Sequence, residues 1–149
     1  MNNHHASCVA VGAKGILIRG APGSGKSTLA LQLIDTQGYG LGRKLLRGQL
    51  VSDDQTMIQV KSRKLVASPP PALEGLLEIR GLGIKQLSFK KSVKLHILVD
   101  LVPATDLARM PEVQDLQAEI DGILLPRIAI AIGNRAAASV VRAALQLLE

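Results

Sequence analysis

An α/β fold, with a mixed β-sheet flanked by helices, is what this sequence predicts, and three observations carry the prediction. Short β-branched runs at residues 15–19, 93–101 and 127–132 alternate with apolar segments of helical spacing. The first of these runs feeds directly into residues 20–27, GAPGSGKS, and then into an apolar helix. The chain has 149 residues, 47% of them hydrophobic, which suits a single domain (1–149) around one apolar core.

Each element follows in turn. Residues 7–11 read as a strand, turned at 12–14 into a second strand at 15–19, so the two form a hairpin. Residues 27–34, STLALQLI, make a helix that ends near Gly38. Gly38, Gly40, Gly42 and Gly48 leave the backbone between them poorly restrained, and the stretch reads as an exposed connection. Leu50 and Val51 lead a strand whose end carries Asp53 and Asp54. Residues 56–60 and 64–67 pair around Lys61, Ser62 and Arg63, and Pro69, Pro70 and Pro71 then stop regular structure because they supply no N–H donors.

In residues 93–101, VKLHILVDL, a strand puts Val93, Leu95, Ile97, Val99 and Leu101 on one face. Pro103 suits the first turn of a helix running to about Asp121, and 127–132 is a final strand. Gly133 and Asn134 precede a last helix in which Ala137, Val140, Val141, Ala144, Leu145 and Leu148 recur at helical spacing, a core stripe.

Composition narrows the class of protein. No apolar run reaches the roughly 18 residues of a membrane span, and no basic start precedes an apolar signal segment. A lone cysteine, Cys8, makes no internal disulfide, so the expectation is a cytoplasmic protein without membrane attachment. The net charge of +6 is uneven. Lys61, Arg63, Lys64, Arg80, Lys85, Lys90, Lys91 and Lys94 face only Glu74 and Glu78 in their stretch, whereas residues 106–121 are acidic. A solvated basic face, or one for an acidic partner, fits better than a nucleic-acid interface. Tyr39 and Phe89 are the only aromatic residues, too few to stack bases.

The octet at 20–27 is a complete Walker A sequence, GxxxxGK[ST]. Its backbone N–H groups surround an anion, and the following helix adds the positive end of its dipole. The nucleotide-binding residues are therefore Gly20, Ala21, Pro22, Gly23, Ser24, Gly25, Lys26, Ser27 and Thr28, with Lys26 reaching the outer phosphates and the Ser27 hydroxyl ligating Mg²⁺. ATP and Mg²⁺ are the expected cofactors. Such a site needs an acidic group on a neighbouring strand end, and pattern alone leaves two candidates, the Asp53-Asp54 pair after LVS and Asp100 in HILVD.

The next segment separates them. Residues 76–84, LLEIRGLGI, together with His5, the Walker loop and Asp53-Asp54 in that order, resemble the catalytic domain of HPr kinase/phosphorylase in its truncated alphaproteobacterial form. The likeness is clear from about His5 to Ile84 and weaker from Val93 onward. It implies an ATP-dependent protein-serine kinase that phosphorylates a seryl residue of HPr, a carrier of the sugar phosphotransferase system, or of an HPr-like protein, with reversal by phosphorolysis. By this resemblance Asp53 is the base that takes the serine proton and the acid in reversal. His5 orients and tunes Asp53, Asp54 and Glu78 join Ser27 at the metal, and Arg135, in GNR, matches an active-site arginine after a one-residue gap. His4 is a bystander, and Arg80 divides between pairing with Glu78 and contacting phosphate.

The chain departs from the family pattern in three places. It starts almost at the family's histidine, without the N-terminal regulatory domain. The glycine- and alanine-rich loop after EIRGLGI is absent, which bears on substrate choice and phosphorolysis. The sequence ends at Glu149, before the C-terminal helices that contact neighbouring subunits and HPr, so a hexamer is not implied and a homo-oligomer stays open. The alternatives are a nucleotide-binding regulatory module without catalysis and a P-loop kinase of a small metabolite.

Overall fold

A computed structural model describes residues 1–148. Its strands are β1 (Asn2–His4), β2 (Ala6–Val11), β3 (Lys14–Arg19), β4 (Gly48–Ser52), β5 (Thr56–Lys61), β6 (Lys64–Ser68), β7 (Leu76–Ile79), β8 (Gly83–Gln86), β9 (Val93–Val102), β10 (Gln117–Ile120) and β11 (Ile123–Ala131). The helices are α1 (Lys26–Asp35) and α2 (Ala137–Leu147). The main sheet runs β1-β5-β6-β9-β3-β2-β4, with β11 also beside β9 and β10 against β11, while β7 and β8 form a separate hairpin. The sheet is mixed: β3 and β11 lie parallel to β9, and the other main-sheet neighbours pair antiparallel. Among the described residues no helix is long and apolar enough to cross a membrane.

Strand direction places the chemistry. In a sheet with parallel strands, ligands gather beyond their carboxyl ends. β3 ends at Arg19, immediately before the Walker loop. β2 runs the opposite way, pairing Ala6 with Arg19, which brings its start and the preceding His5 to that same end. β4 is antiparallel to β2, so its last residue, Ser52, pairs with Cys8 and delivers Asp53 and Asp54 there too.

Alternation along the strands divides the apolar side chains between the two faces of the sheet. Val9, Ile16, Ile18, Ile97 and Val99 meet Leu29, Ala30 and Leu33 of α1 and Val141 and Leu145 of α2 on one face. Cys8, Leu17, Val51, Ile58, Leu65 and Leu98 fill the other, closed by Ile120 and Leu125 from β10 and β11. Both helices thus cover one face, and the curl of the sheet covers the second. Burial in that second core pushes the Cys8 thiol well above its ordinary pKa, so it remains a protonated packing residue.

One expectation fails. Residues 103–121 are not a helix: two short 3₁₀ turns, Ala104–Asp106 and Val113–Leu116, lead into β10. Pro111 explains this, because inside a helix it removes one backbone bond and clashes with the preceding turn, and it biases Met110 toward extended backbone. Glu112 and Asp115 form a reciprocal capping box on the second turn. Asp121 and Gly122, both at positive φ (48° and 83°), then make the tight hairpin turn typical of an Asp-Gly pair, and the final strand starts at Ile123 instead of Arg127. At the other end of the chain, residues 2–4 add a strand to β5 that the sequence pattern did not mark.

Candidate functional site

Residues 20–25 form the loop between β3 and α1, with Gly23 at φ 81° and Gly25 at φ 102°, conformations that favour glycine. Gly20 is favoured for a different reason, since a Cβ there would press on the Ser24 side chain and Leu101. Lys26 is buried, and its Nζ donates to the carbonyl oxygens of Gly20 (3.0 Å) and Ala21 (3.3 Å), bracing the loop from within.

Asp53 is the organising acid. It is only 7% exposed, and three donors reach it. Ser27 Oγ lies 2.8 Å and 3.0 Å from its two oxygens, Ser7 Oγ donates to Oδ1 at 2.8 Å, and the Glu78 backbone N–H donates to Oδ2 at 3.2 Å. Ser7 also accepts the Asp54 N–H at 3.1 Å, so one hydroxyl sets both members of the acidic pair. Sequence reading passed over Ser7; its signal was a hydroxyl on a strand that is otherwise apolar and fully buried.

Asp54 takes a left-handed backbone conformation (φ 64°), and this turns its carboxylate outward while Asp53 points inward. His5 follows Asp54: its Nε2 is 2.7 Å from Asp54 Oδ1, and the expected contact with Asp53 is replaced by this one. His4 pairs away from both clefts, its Nε2 2.9 Å from Asp121 Oδ2, and so joins β1 to the β10–β11 turn.

The EIRGLG phrase is the β7–β8 hairpin, with Glu78 opposite Ile84 and both glycines, Gly81 and Gly83, at positive φ. It lays Glu78 and Arg80 beside the loop, and no ion pair joins the two among the described residues. A cleft of about 190 Å³ is lined by Pro22, Gly23, Gly25, Lys26, Ser27, Thr28, Asp54, Glu78 and Arg80. On one side it adjoins a cleft of about 160 Å³ that shares Asp54 and Glu78 and adds Asp53, Gln55, Leu73, Leu76 and Ile84.

Arg135, and Asp100 as the acid that was not chosen, line neither of these two clefts. Arg135 lines a further cleft, which shares only Gly25 and Thr28 with the loop cleft. Asp100 is clasped by two arginines: Arg19 Nε and Nη2 donate to its two oxygens at 2.8 Å and 3.0 Å, and Arg127 Nε donates to Oδ2 at 2.7 Å. Burial pushes the Asp100 carboxyl up, but hydrogen bonds from Arg19 and Arg127 outweigh it and hold the group below its ordinary pKa. The same bond to Asp100 raises the Arg19 pKa.

The candidate metal donors lining the loop cleft are hard oxygens, the Ser27 hydroxyl and the carboxylates of Asp54 and Glu78, with Asp53 behind Ser27. That set suits Mg²⁺, which takes one or two protein carboxylates and fills the rest of its shell with phosphate and water.

Comparison with known proteins places this arrangement. The chain is 31% identical to an HPr kinase/phosphorylase of Bordetella petrii over 144 residues, which is 89% of this chain and 43% of that one. It is 28% identical to an HPr kinase/phosphorylase of Limosilactobacillus reuteri over 139 residues, 86% of this chain and 40% of the other. It therefore spans about two fifths of the length of these curated relatives. Its fold matches the HPr(Ser) kinase/phosphatase of Coxiella burnetii with a TM-score of 0.79 at 24% identity, covering 99% of this chain and 90% of that one. The family described as the HPr serine kinase C-terminal domain matches residues 1–148, and this chain belongs to that family.

Proposed function

We propose that residues 1–149 act as a single P-loop kinase domain that transfers the γ-phosphoryl group of ATP to a serine hydroxyl of HPr or an HPr-like carrier protein. The observation that carries this reading is Asp53: a buried carboxylate bonded to the Walker serine on one side and lining an open cleft on the other.

In this reading the nucleotide phosphates occupy the cleft at Lys26, where backbone N–H groups and the lysine charge neutralise them. Mg²⁺, when bound, screens the phosphate charge, with Ser27, Asp54 and Glu78 as its protein-side oxygens. Ser27 would hold the metal by turning its hydroxyl away from Asp53, which would free a lone pair of Asp53 for the adjoining cleft that it lines. The acceptor serine enters by that cleft, past Leu73, Leu76 and Ile84. Its oxygen bonds to the γ-phosphorus as the bond to the bridging oxygen of ADP breaks, and its proton passes to Asp53. In reversal, an oxygen of inorganic phosphate bonds to the phosphorus of phosphoserine as the bond to the serine oxygen breaks, Asp53 gives that oxygen its proton, and pyrophosphate is the product. Ser7 and the Glu78 N–H keep Asp53 aimed throughout, and His5 holds Asp54.

The test is transfer of labelled γ-phosphate from ATP with Mg²⁺ to purified HPr-like protein, with a target-serine→Ala acceptor and the Asp53→Asn enzyme in parallel. Label that vanishes in both controls supports the reading. ATP binding without label in any arm overturns it in favour of a nucleotide-binding module.

A further inference from the structure

We propose that the cleft containing Arg135 receives the nucleoside, so that Arg135 contacts the base or ribose and stands outside the phosphoryl-transfer centre. This inference rests on the reading that the Walker cleft holds nucleotide phosphates, and it adds where the rest of that ligand lies.

Three clefts form a series. The acceptor cleft shares Asp54 and Glu78 with the phosphate cleft, and the phosphate cleft shares Gly25 and Thr28 with the Arg135 cleft. A nucleotide has the same linear order, since its terminal phosphate must meet the acceptor and its nucleoside must lie at the far end. With the transferring end at Asp54 and Glu78, the nucleoside falls on the Gly25 and Thr28 side.

The lining changes to match. The Arg135 cleft, about 320 Å³, has walls of Leu29, Leu101, Ile132 and Ala137 with Gln32 and Asn134 among its polar edges. That mixture, apolar faces with a few placed polar groups, is how proteins hold flat heterocycles. Neither Tyr39 nor Phe89 lines it, so the base is gripped by aliphatic side chains. Asn134 Oδ1 accepts the Ala136 N–H at 2.8 Å, which leaves its amide NH₂ as a donor for a base edge.

Ser24 lines this cleft through its other atoms, since its Oγ is buried against Gly20.

The experiment measures binding of Mg-ATP and of inorganic tripolyphosphate, which has the phosphates and no nucleoside, to wild type, Ile132→Trp and Arg135→Ala. Ile132 is 43% exposed and Arg135 is exposed, so neither change removes core packing, and circular dichroism checks the fold. The expected result is a loss of about tenfold or more in ATP affinity for Ile132→Trp and a several-fold loss for Arg135→Ala, with tripolyphosphate affinity within about twofold of wild type in both. Unchanged ATP affinity in folded Ile132→Trp overturns the nucleoside cleft. Equal losses for ATP and tripolyphosphate in Arg135→Ala return that residue to the phosphates. If wild type binds neither compound, the phosphate-site reading itself falls, and this inference with it.

Discussion

The Ser27 hydroxyl lies within 3.0 Å of both oxygens of Asp53, so the Walker loop and the acidic strand end are locked to each other directly. Twenty-six positions apart in sequence, the two residues meet because β4 and β3 finish at the same end of the sheet.

Asp53→Asn keeps the size of the side chain and removes its capacity to take a proton. Transfer to the acceptor serine is expected to fall by about 10²–10⁴-fold while ATP affinity stays within a few-fold. Single-turnover kinetics beside a nucleotide titration check both halves; retained transfer would show that the proton goes elsewhere.

Ser7→Ala deletes the hydroxyl that donates to Asp53 and accepts from Asp54. Leaving a buried carboxylate and a backbone N–H each short of a partner is expected to cost about 1–3 kcal/mol in urea unfolding. Ser7→Thr, which retains the hydroxyl, is expected to recover part of that stability; equal damage from both substitutions would point to packing alone.

Asp100→Asn separates structure from chemistry. Two partly buried arginines lose their counter-charge, and a destabilisation of about 1–3 kcal/mol is expected. Transfer per folded molecule is expected to change little, in contrast to Asp54→Asn, which removes a group lining two clefts. The opposite ranking in Mg²⁺-dependent activity would move the acidic site to β9.

Acid stability follows from the same residue. The folded-state pKa of Asp100 lies below its ordinary 3.8, so the pair stabilises fully above that value and loses its contribution as pH falls through the folded value. Unfolding measured between neutral pH and acid is expected to show the Asp100→Asn penalty shrinking below about pH 4. A penalty that persists unchanged in strong acid would mean that the charge is not its source.

Gly20→Ala presses a methyl group on the Ser24 hydroxyl and sets it 3.1 Å from Ser24 Cβ and 3.2 Å from Leu101 Cβ. The loop must shift to admit it, and affinity for both ATP and tripolyphosphate is expected to drop by about tenfold or more. Isothermal titration tests this, and wild-type affinity for tripolyphosphate would show that the loop adapts.

Much of this molecule was open to reading from its residues in order. The strands at 7–11, 15–19 and 93–101, the Walker loop and the last helix each announce themselves by local periodicity or by a contiguous motif, and the structure contains them. Residues 103–121 depart from the helix that Pro103 suggests because Pro111 interrupts it and Asp121-Gly122 turns the chain, although both signals are local.

What the sequence determined by itself, then, is everything encoded over short separations: the α/β class, the loop with its lysine and serine, and the adjacency of Asp53 and Asp54. What only the tertiary structure decided is how residues from different strands are shared out. Pattern left Asp100 equal to Asp53, yet strand order puts Arg19 and Arg127 against Asp100 and Ser7 and Ser27 against Asp53. His5 went to Asp54 because the backbone at Asp54 turns its side chain outward, and Arg135 went to a cleft of its own because the β11–α2 loop reaches the far side of the Walker loop. Those outcomes depend on direction and register across the sheet, which separate groups adjacent in sequence and join groups a hundred residues apart.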